Sequence, residues 1–316
     1  MRTLLLRRLL DLVPTLLGVS LLAFFIMKMT PGDPVRMMLG PEASPAAVER
    51  LREQLGLNRP WYSQYYMYTV EMAAGELKSI THPTQSARER ILARLPATFE
   101  LAVAAMFFAM ITSLFVGILS AAKPNSLFDN ATRVVVFVFL AMPSFWLGLE
   151  LIILFSRMLR WFPPAGRGEF SLSSHISHLF LPAITLGVGT GASLSRILRS
   201  SMLETMGADY IRTARAKGLA EPRVILKHAL KSALIPFITV AGISAGALLS
   251  GSVIVETVFN WPGVGSLLVG SIKERDFPVT MGCILLLATI FVLVNALVDM
   301  LYIVLDPRIR VGGEER

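Results

Sequence analysis

Six apolar stretches, each long enough to cross a bilayer core of about 30 Å as a helix, set the tightest limit on what this chain can fold into. They fall near 9–29, 99–122, 132–157, 179–199, 233–256 and 279–304. Inside a hydrocarbon core the backbone must satisfy its own hydrogen bonds, so single spans of this length are helices. The predicted fold class is therefore all-α, a polytopic membrane protein with six transmembrane helices. Composition agrees: 54% of the 316 residues are hydrophobic and only 16% charged, against about 25% charged in a soluble domain. The first stretch reads as a retained span. Its apolar run is too long for a leader, and Thr30-Pro31-Gly32-Asp33-Pro34 offers no small-x-small cleavage site.

Orientation follows from the basic residues of the short loops. One side holds Arg2, Arg7 and Arg8, then Lys123, the segment 196–231, and the tail with Arg308, Arg310 and Arg316. The short loops of the other side hold Arg157, Arg160, Arg167, Lys273 and Arg275. Both termini are thus predicted to be cytoplasmic, with segment 30–98 outside. In that segment Ser44 and Pro45 start a helix, Val48, Leu51 and Leu55 line one face, and Gly56 ends it. Asn58 and Pro60 start another, with Trp61, Tyr65, Tyr68 and Met72 on a common face. The pair is predicted to form a small helical extracytoplasmic cap, aromatic face toward the membrane. Residues 76–92 read as polar and irregular, without an assignable role.

Residues 207–236 form a polar, basic island between two very apolar stretches. Asp209 is placed to accept hydrogen bonds from first-turn N–H groups, and Gly218 suits the left-handed position that ends a helix. Between them Arg212, Arg215 and Lys217 spread positive charge, while Thr213, Ala214 and Ala216 keep the rod slim. Pro222 fits the first position of a second helix running toward Lys231. Two readings stand for such a helix: it grips anionic lipid, or it plugs a socket on a soluble partner.

The run Asp209-Tyr210-Ile211-Arg212-Thr213-Ala214-Arg215-Ala216-Lys217-Gly218-Leu219 resembles the cytoplasmic loop of ABC-importer permeases of the peptide/nickel family. Pro31-Gly32-Asp33-Pro34, Leu95-Pro96-Ala97-Thr98-Phe99-Glu100-Leu101, Asn260-Trp261-Pro262-Gly263-Val264-Gly265 and Asp306-Pro307-Arg308-Ile309-Arg310 extend the resemblance over nearly the whole chain. Pro-Gly-Asp-Pro near the start is similar to the dipeptide-permease B type of subunit. The loop departs from the wider importer superfamily, with Arg212-Thr213-Ala214 in place of Glu-Ala-Ala, as in the peptide subfamily's variant. The resemblance implies one permease domain over 1–316, with a 30–98 extracytoplasmic insertion and a 200–232 ATPase-coupling loop. It favours the plug reading, with Asp209, Tyr210, Arg212, Thr213, Ala214, Arg215, Ala216, Lys217, Gly218 and Leu219 meeting an ATPase subunit. Ala214, Ala216 and Gly218 would set the close fit. Implied partners are a second homologous permease subunit, two ATPase subunits and an extracytoplasmic solute-binding protein, in the lipid bilayer of the cell inner membrane. ATP and Mg would be used by the ATPases, and no cofactor bound by this chain. The cap would shield the bundle or help dock the binding protein. Di- or oligopeptides lead as substrate, with glutathione or a nickel chelate behind.

Other motifs weigh less. Gly242-Ile243-Ser244-Ala245-Gly246 matches G-x-S-x-G, but it lies in an apolar helix, and none of the six stretches holds a histidine to complete a hydrolase triad. Neither H-E-x-x-H nor a phosphate-binding G-x-x-x-x-G-K-S/T loop occurs, so a non-catalytic chain is expected, with ATP hydrolysis elsewhere. No basic run interleaved with aromatics points to nucleic acid. His175 and His178 lack the further ligands a metal needs, and Cys283 alone supports neither a disulfide nor a zinc site. Gly242, Ser244, Gly246, Ser250 and Ser252 on the fifth stretch suit either close helix packing or a passage wide enough for solute. Glu150 is the carboxylate best placed to face a cavity, whereas Asp299, near Asn295, lies toward the cytoplasmic end and Asp11, Glu100 and Glu256 lie at span ends. Few midplane charges argue for energy supplied from outside. The competing class is a stand-alone pore or secondary carrier whose basic loop grips lipid.

Overall fold

The computed structural model describes residues 2–29, 34–40, 42–54, 56–75, 77–168 and 171–305. Thr30–Asp33, Leu55, Glu76 and the 306–316 tail lie outside the described residues, as do the side chains of Arg2, Arg7, Arg8, Asp11 and Asp299. The described chain is helical, with one isolated bridge between Lys78 and Ser86. In order come α1 (Arg2–Met29), α2 (Pro34–Leu39), α3 (Pro45–Gln54), α4 (Trp61–Ala74), α5 (Ala87–Ala122), α6 (Leu127–Ala141) and α7 (Ser144–Leu151), the last continued by a π-helical turn Ile152–Met158. Then follow α8 (Leu172–Met206), α9 (Asp209–Ala216), α10 (Glu221–Arg223), a π-helical turn Val224–Ala229, α11 (Leu230–Val258), α12 (Val264–Lys273) and α13 (Phe277–Leu305).

Five described helices are long and apolar enough to cross a membrane, and six spans result if the α6–α7 pair counts as one. That pair bends by 106°. The predicted third span is thus broken rather than continuous, and the cause is local: Pro143 has no N–H to continue α6 and instead occupies the N-cap of α7. The helix expected to start at Pro222 and run toward Lys231 continues into the fifth span, residues 221–258 forming one unbroken helical stretch.

The described residues divide into two compact units, one within 2–98 and 262–290, the other within 99–261 and 291–305. In the first, α3 starts as expected, the Ser44 hydroxyl accepting from the Ala47 N–H at 3.3 Å, and Gly56 takes a left-handed φ of 65°. Asn58 does not cap α4; its amide donates to Glu49 at 2.7 Å, leaving Pro60 at the N-cap. The α4 face that carries Tyr65, Tyr68 and Met72 packs on Ala23 and Phe24 of α1 and on Met281 of α13. The Ser20 and Tyr65 hydroxyls hydrogen-bond at 2.6 Å. Tyr65 and Tyr68 are thus partly covered by protein, while Trp61 on the same helix stays 47% exposed.

Residues 77–87 fold back on themselves: the Ala87 N–H donates to the Leu77 carbonyl at 2.8 Å and Ser79 to Gln85 at 3.1 Å. α5 then begins with a reciprocal cap. The Glu89 N–H donates to the Ser86 hydroxyl at 3.1 Å, and the Ser86 N–H to the Glu89 carboxylate at 3.0 Å. The buried carboxylate of Asp276 fastens this hairpin. It accepts from the Ser79 hydroxyl, from Thr81 Oγ1 at 2.9 Å, from the Ile80 N–H at 3.2 Å and from Arg90 at 3.0 Å. Four donors of this kind are what an ionised group needs to be tolerated in an apolar setting.

In the second unit α8 and α11 form the main packed pair, and small residues allow close approach. A Cβ on Gly187 would lie 2.5 Å from the Ala105 carbonyl oxygen, so only hydrogen fits where α5 and α8 cross. α8 starts at Leu172, the Ser171 hydroxyl capping Ser174 at 3.2 Å. His175 and His178 therefore lie in its first turns, not in a loop. His178 bonds the Ser174 carbonyl, while His175 meets the Arg167 carbonyl and the Glu100 carboxylate. Arg167 donates to that same carboxylate at 2.7 Å. The two imidazoles serve separate local contacts.

Candidate functional site

The basic island folds as a short helix held on one side by its own chain. α9 takes Ala208, in extended conformation, as its N-cap, with no side-chain cap. Asp209 is the first helical residue, and instead of capping it accepts from Arg212 at 3.3 Å. Its negative charge still suits the positive end of the helix dipole. The C-terminus forms as the sequence indicates. Gly218 has φ 75°, its N–H reaches the Arg215 carbonyl at 2.9 Å, and the Leu219 N–H reaches the Ala214 carbonyl at 3.4 Å. These two bonds are the paired closure that a glycine at this position permits.

The helix is two-faced. Ile211 is fully buried and Ala214 is 8% exposed, both in a cluster with Leu194, Leu198 and Met202 of α8, Val224 and Ile225 of the π-helical turn, and Phe237 of α11. Burial of an isoleucine side chain contributes about 2–3 kcal/mol, which holds α9 in place. Ala214 therefore fits against its own chain, which removes it from the residues free to set a close fit with a partner. Tyr210, Arg212, Thr213, Arg215, Ala216, Lys217 and Gly218 are exposed, and Leu219 is half-buried. The Tyr210 hydroxyl donates to Ser232 at 3.0 Å. Arg215 donates twice to Glu221, at 2.7 and 3.1 Å, and these bonds hold its pKa above the ordinary arginine value. Arg212, Ala216 and Lys217 remain on the solvent side.

α8, which ends at α9, is tied to α6 by a contact that carries no sequence signal. Arg199 grips Asp129 through two bonds of 2.6 and 2.7 Å, with Asp129 wholly buried and Arg199 21% exposed. The Asn125 N–H adds a bond of 2.9 Å to the same carboxylate. A bidentate pair of this geometry is rigid. It braces the helix that presents α9.

The small residues of α11 divide between its faces. A Cβ on Gly242 would meet Val298 at 2.8 Å and one on Gly246 would meet Asn295 at 3.1 Å, so both serve packing against α13. The Ser244 hydroxyl bonds the Val240 carbonyl at 2.8 Å, and buried Ser252 bonds Leu249 at 2.8 Å. Each hydroxyl thus donates to its own helix and keeps only its oxygen lone pairs as acceptors. Ser250 and Glu150 are exposed. Ala247 and Gly251 instead line a cavity of about 290 Å³ at the α6–α7 break, with Ser144, Thr185, Gly189 and Thr190. Phe139, Met142, Leu147, Leu186, Val188 and Leu248 complete the lining, so the wall is mainly apolar with a few hydroxyls. No group of three or more metal-ligating side chains occurs among the described residues.

Residues 113–311 match the family described as binding-protein-dependent transport system inner membrane component, and residues 1–102 match the N-terminal region of such membrane components. The chain is 43% identical to a dipeptide transport system permease protein of Alkalihalophilus pseudofirmus, over 96% of this chain and 98% of that relative. It is 42% identical to a di/tripeptide transport system permease protein of Pseudomonas aeruginosa, over 96% and 97%. A glutathione transport system permease protein of Escherichia coli is 40% identical over the same shares. Among solved structures, an inward-facing methionine ABC transporter matches with a TM-score of 0.55 at 20% identity, covering 68% of this chain and 96% of that one.

Proposed function

The chain belongs to the inner membrane components of binding-protein-dependent transport systems, and from that premise we propose that it carries di- or oligopeptides across the membrane as one permease subunit of an ABC importer. As a transport-system inner membrane component its role is in transport, and ATP hydrolysis is assigned to partner subunits. In the proposed assembly a second, similar permease subunit completes the passage, two ATPase subunits bind ATP and Mg on the cytoplasmic side, and an extracytoplasmic binding protein delivers solute. Both termini and the 200–232 loop with α9 are assigned to the cytoplasm, and the 30–98 insertion to the outside.

The observation that carries this reading is the two-faced α9. Ile211 and Ala214 lock it to α8 and α11, so a push on its exposed face moves those helices rather than bending a loop. Bound ATP draws the ATPase pair together, and hydrolysis releases it. The exposed Tyr210, Arg212, Thr213, Arg215, Ala216 and Lys217 transmit that motion, and the Asp129–Arg199 brace carries it to the broken α6–α7 span. The cavity of about 290 Å³ beside that break, walled by Ala247 and Gly251, lies on the solute path. Dipeptide and di/tripeptide relatives at 43% and 42% identity support a short-peptide substrate, with glutathione, itself a tripeptide, behind.

The test is gentle purification of the tagged chain from native membranes. An ATPase, a second permease and a peptide-loaded binding protein should come with it. A chain that purifies alone and moves solute in vesicles without ATP refutes the importer reading in favour of a stand-alone carrier.

A further inference from the structure

The cap contains a cavity of about 350 Å³ whose lining includes Tyr68 and Glu71 of α4, buried Gln64, and the extended pair Leu77 and Lys78, with Pro278 closing it from α13. Pockets for small ligands begin near this size. Its charges are opposite and separate: neither Glu71 nor Lys78 has an ion-pair partner among the described residues. Its neutral polar groups are also uncommitted. Gln64 spends its amide nitrogen on the Leu57 and Arg59 carbonyls, at 2.9 and 2.6 Å, which leaves its carbonyl oxygen as an acceptor. The Tyr68 hydroxyl has no hydrogen-bond partner among the described residues, and burial first, then the charges of Glu71 and Asp276, push its pKa up to about 12. It is therefore a neutral donor at any physiological pH.

The walls are preformed. Lys78 sits between Leu77, whose carbonyl accepts from Ala87, and Ser79, which is bound to Asp276. Ile80 is fixed to the same carboxylate, and Glu71 lies in the last turn of α4, closed by Gly75 at φ 75°. Two opposite charges without an ion-pair partner among the described residues, on fixed backbone over an apolar floor of Leu77 and Pro278, match a ligand with a cation at one end, an anion at the other and a short apolar body. A purely cationic or purely anionic ligand would leave one charge unanswered.

Resting on the peptide reading above, we propose that this cavity is a binding site for a short zwitterionic peptide, Glu71 receiving its ammonium end and Lys78 its carboxylate end. It would hold solute on the permease itself, apart from the cavity at the α6–α7 break. Fixed walls lower the ordering cost of binding.

The test uses the intact importer in lipid nanodiscs, washed free of its binding protein, with radiolabelled L-alanyl-L-alanine as probe. Saturable binding is expected, falling tenfold or more in E71Q and in K78M, with unfolding temperature unchanged. N-terminal acetylation of the probe should weaken binding to the parent protein but cost E71Q nothing further. Absence of binding to the parent protein overturns the proposal, as does binding that both variants retain. Variants that spare dialanine binding but weaken capture of the binding protein also overturn it, reassigning the two charges to docking. Uptake of the same peptide by the same preparation, with the binding protein restored, tests the peptide reading separately. Uptake without cap binding sinks the site alone, and absence of uptake sinks the peptide reading.

Discussion

Ala214 and Ala216 lie two residues apart on α9 and should respond in opposite ways to the same change. Ala214 is 8% exposed, enclosed by Ile211, Leu198, Met202, Val224 and Ile225. Ala214→Leu must fit three more carbons into that cluster, and overpacking of this kind costs about 1–3 kcal/mol. For a chain of this size that lowers Tm by a few degrees. Ala216 faces solvent, where substitutions stay within about 0.5 kcal/mol. Ala216→Leu should therefore leave Tm alone while adding bulk on the face assigned to the ATPase. A loss of about 1.4 kcal/mol there weakens docking tenfold. Thermal unfolding of each purified variant, alongside ATP-driven uptake in proteoliposomes, reads both effects. Uptake by Ala216→Leu equal to the parent's would refute the assignment of that face. An unchanged Tm for Ala214→Leu would refute the packing account of how α9 is held.

Three further outcomes follow from the same geometry. Gly187→Ala should destabilise the chain by about 1–3 kcal/mol because its Cβ meets the Ala105 backbone at 2.5 Å; Gly189→Ala, with nothing within 4 Å, should be neutral or stabilising in the same unfolding assay. Asp129→Ala leaves Arg199 without its partner and should cost about 3 kcal/mol, toward the low end for a broken buried pair because Arg199 is 21% exposed. Uptake should fall more than Tm predicts if the pair braces α8. Gly218→Ala should cost about 1–2 kcal/mol through its left-handed φ of 75° alone, and Gly218→Asn less, since asparagine tolerates that conformation.

The spans and the end of α9 were legible because both are written locally, in apolar runs and in one glycine. The cap helices were legible for the same reason, although the sequence could not say what would cover Tyr65 and Tyr68. Ser86-Ala87-Arg88-Glu89 is a signal that sequence reading passed over. It is a capping box, but Arg88, Glu89 and Arg90 follow it, so the start of α5 reads as polar and irregular. Asp209 misled because aspartate is a strong cap in general, yet here Ala208 takes the extended conformation first. Pro143 marked the break in the third span, hidden by the apolar residues on both sides. The pairs Asp129–Arg199 and Asp276–Arg90 were out of reach, since their partners stand 70 and 186 positions apart and neither charge lies in a periodic pattern. Gly242 and Gly246 could pack or line a passage on sequence alone. Only the nearby Val298 and Asn295 side chains decide for packing.

The account stands on α9 as the point of attachment for an ATPase, and cross-linking from Ala216→Cys tests it most directly. Cys283, the sole native cysteine, is buried and leaves a clean background. With a short bifunctional thiol reagent in native membranes, the account predicts a covalent adduct to an ATP-binding subunit, in a yield that changes when ATP is added. A thiol at 216 that reacts freely from the cytoplasmic side, supports full uptake and forms no adduct with any ATPase would contradict it.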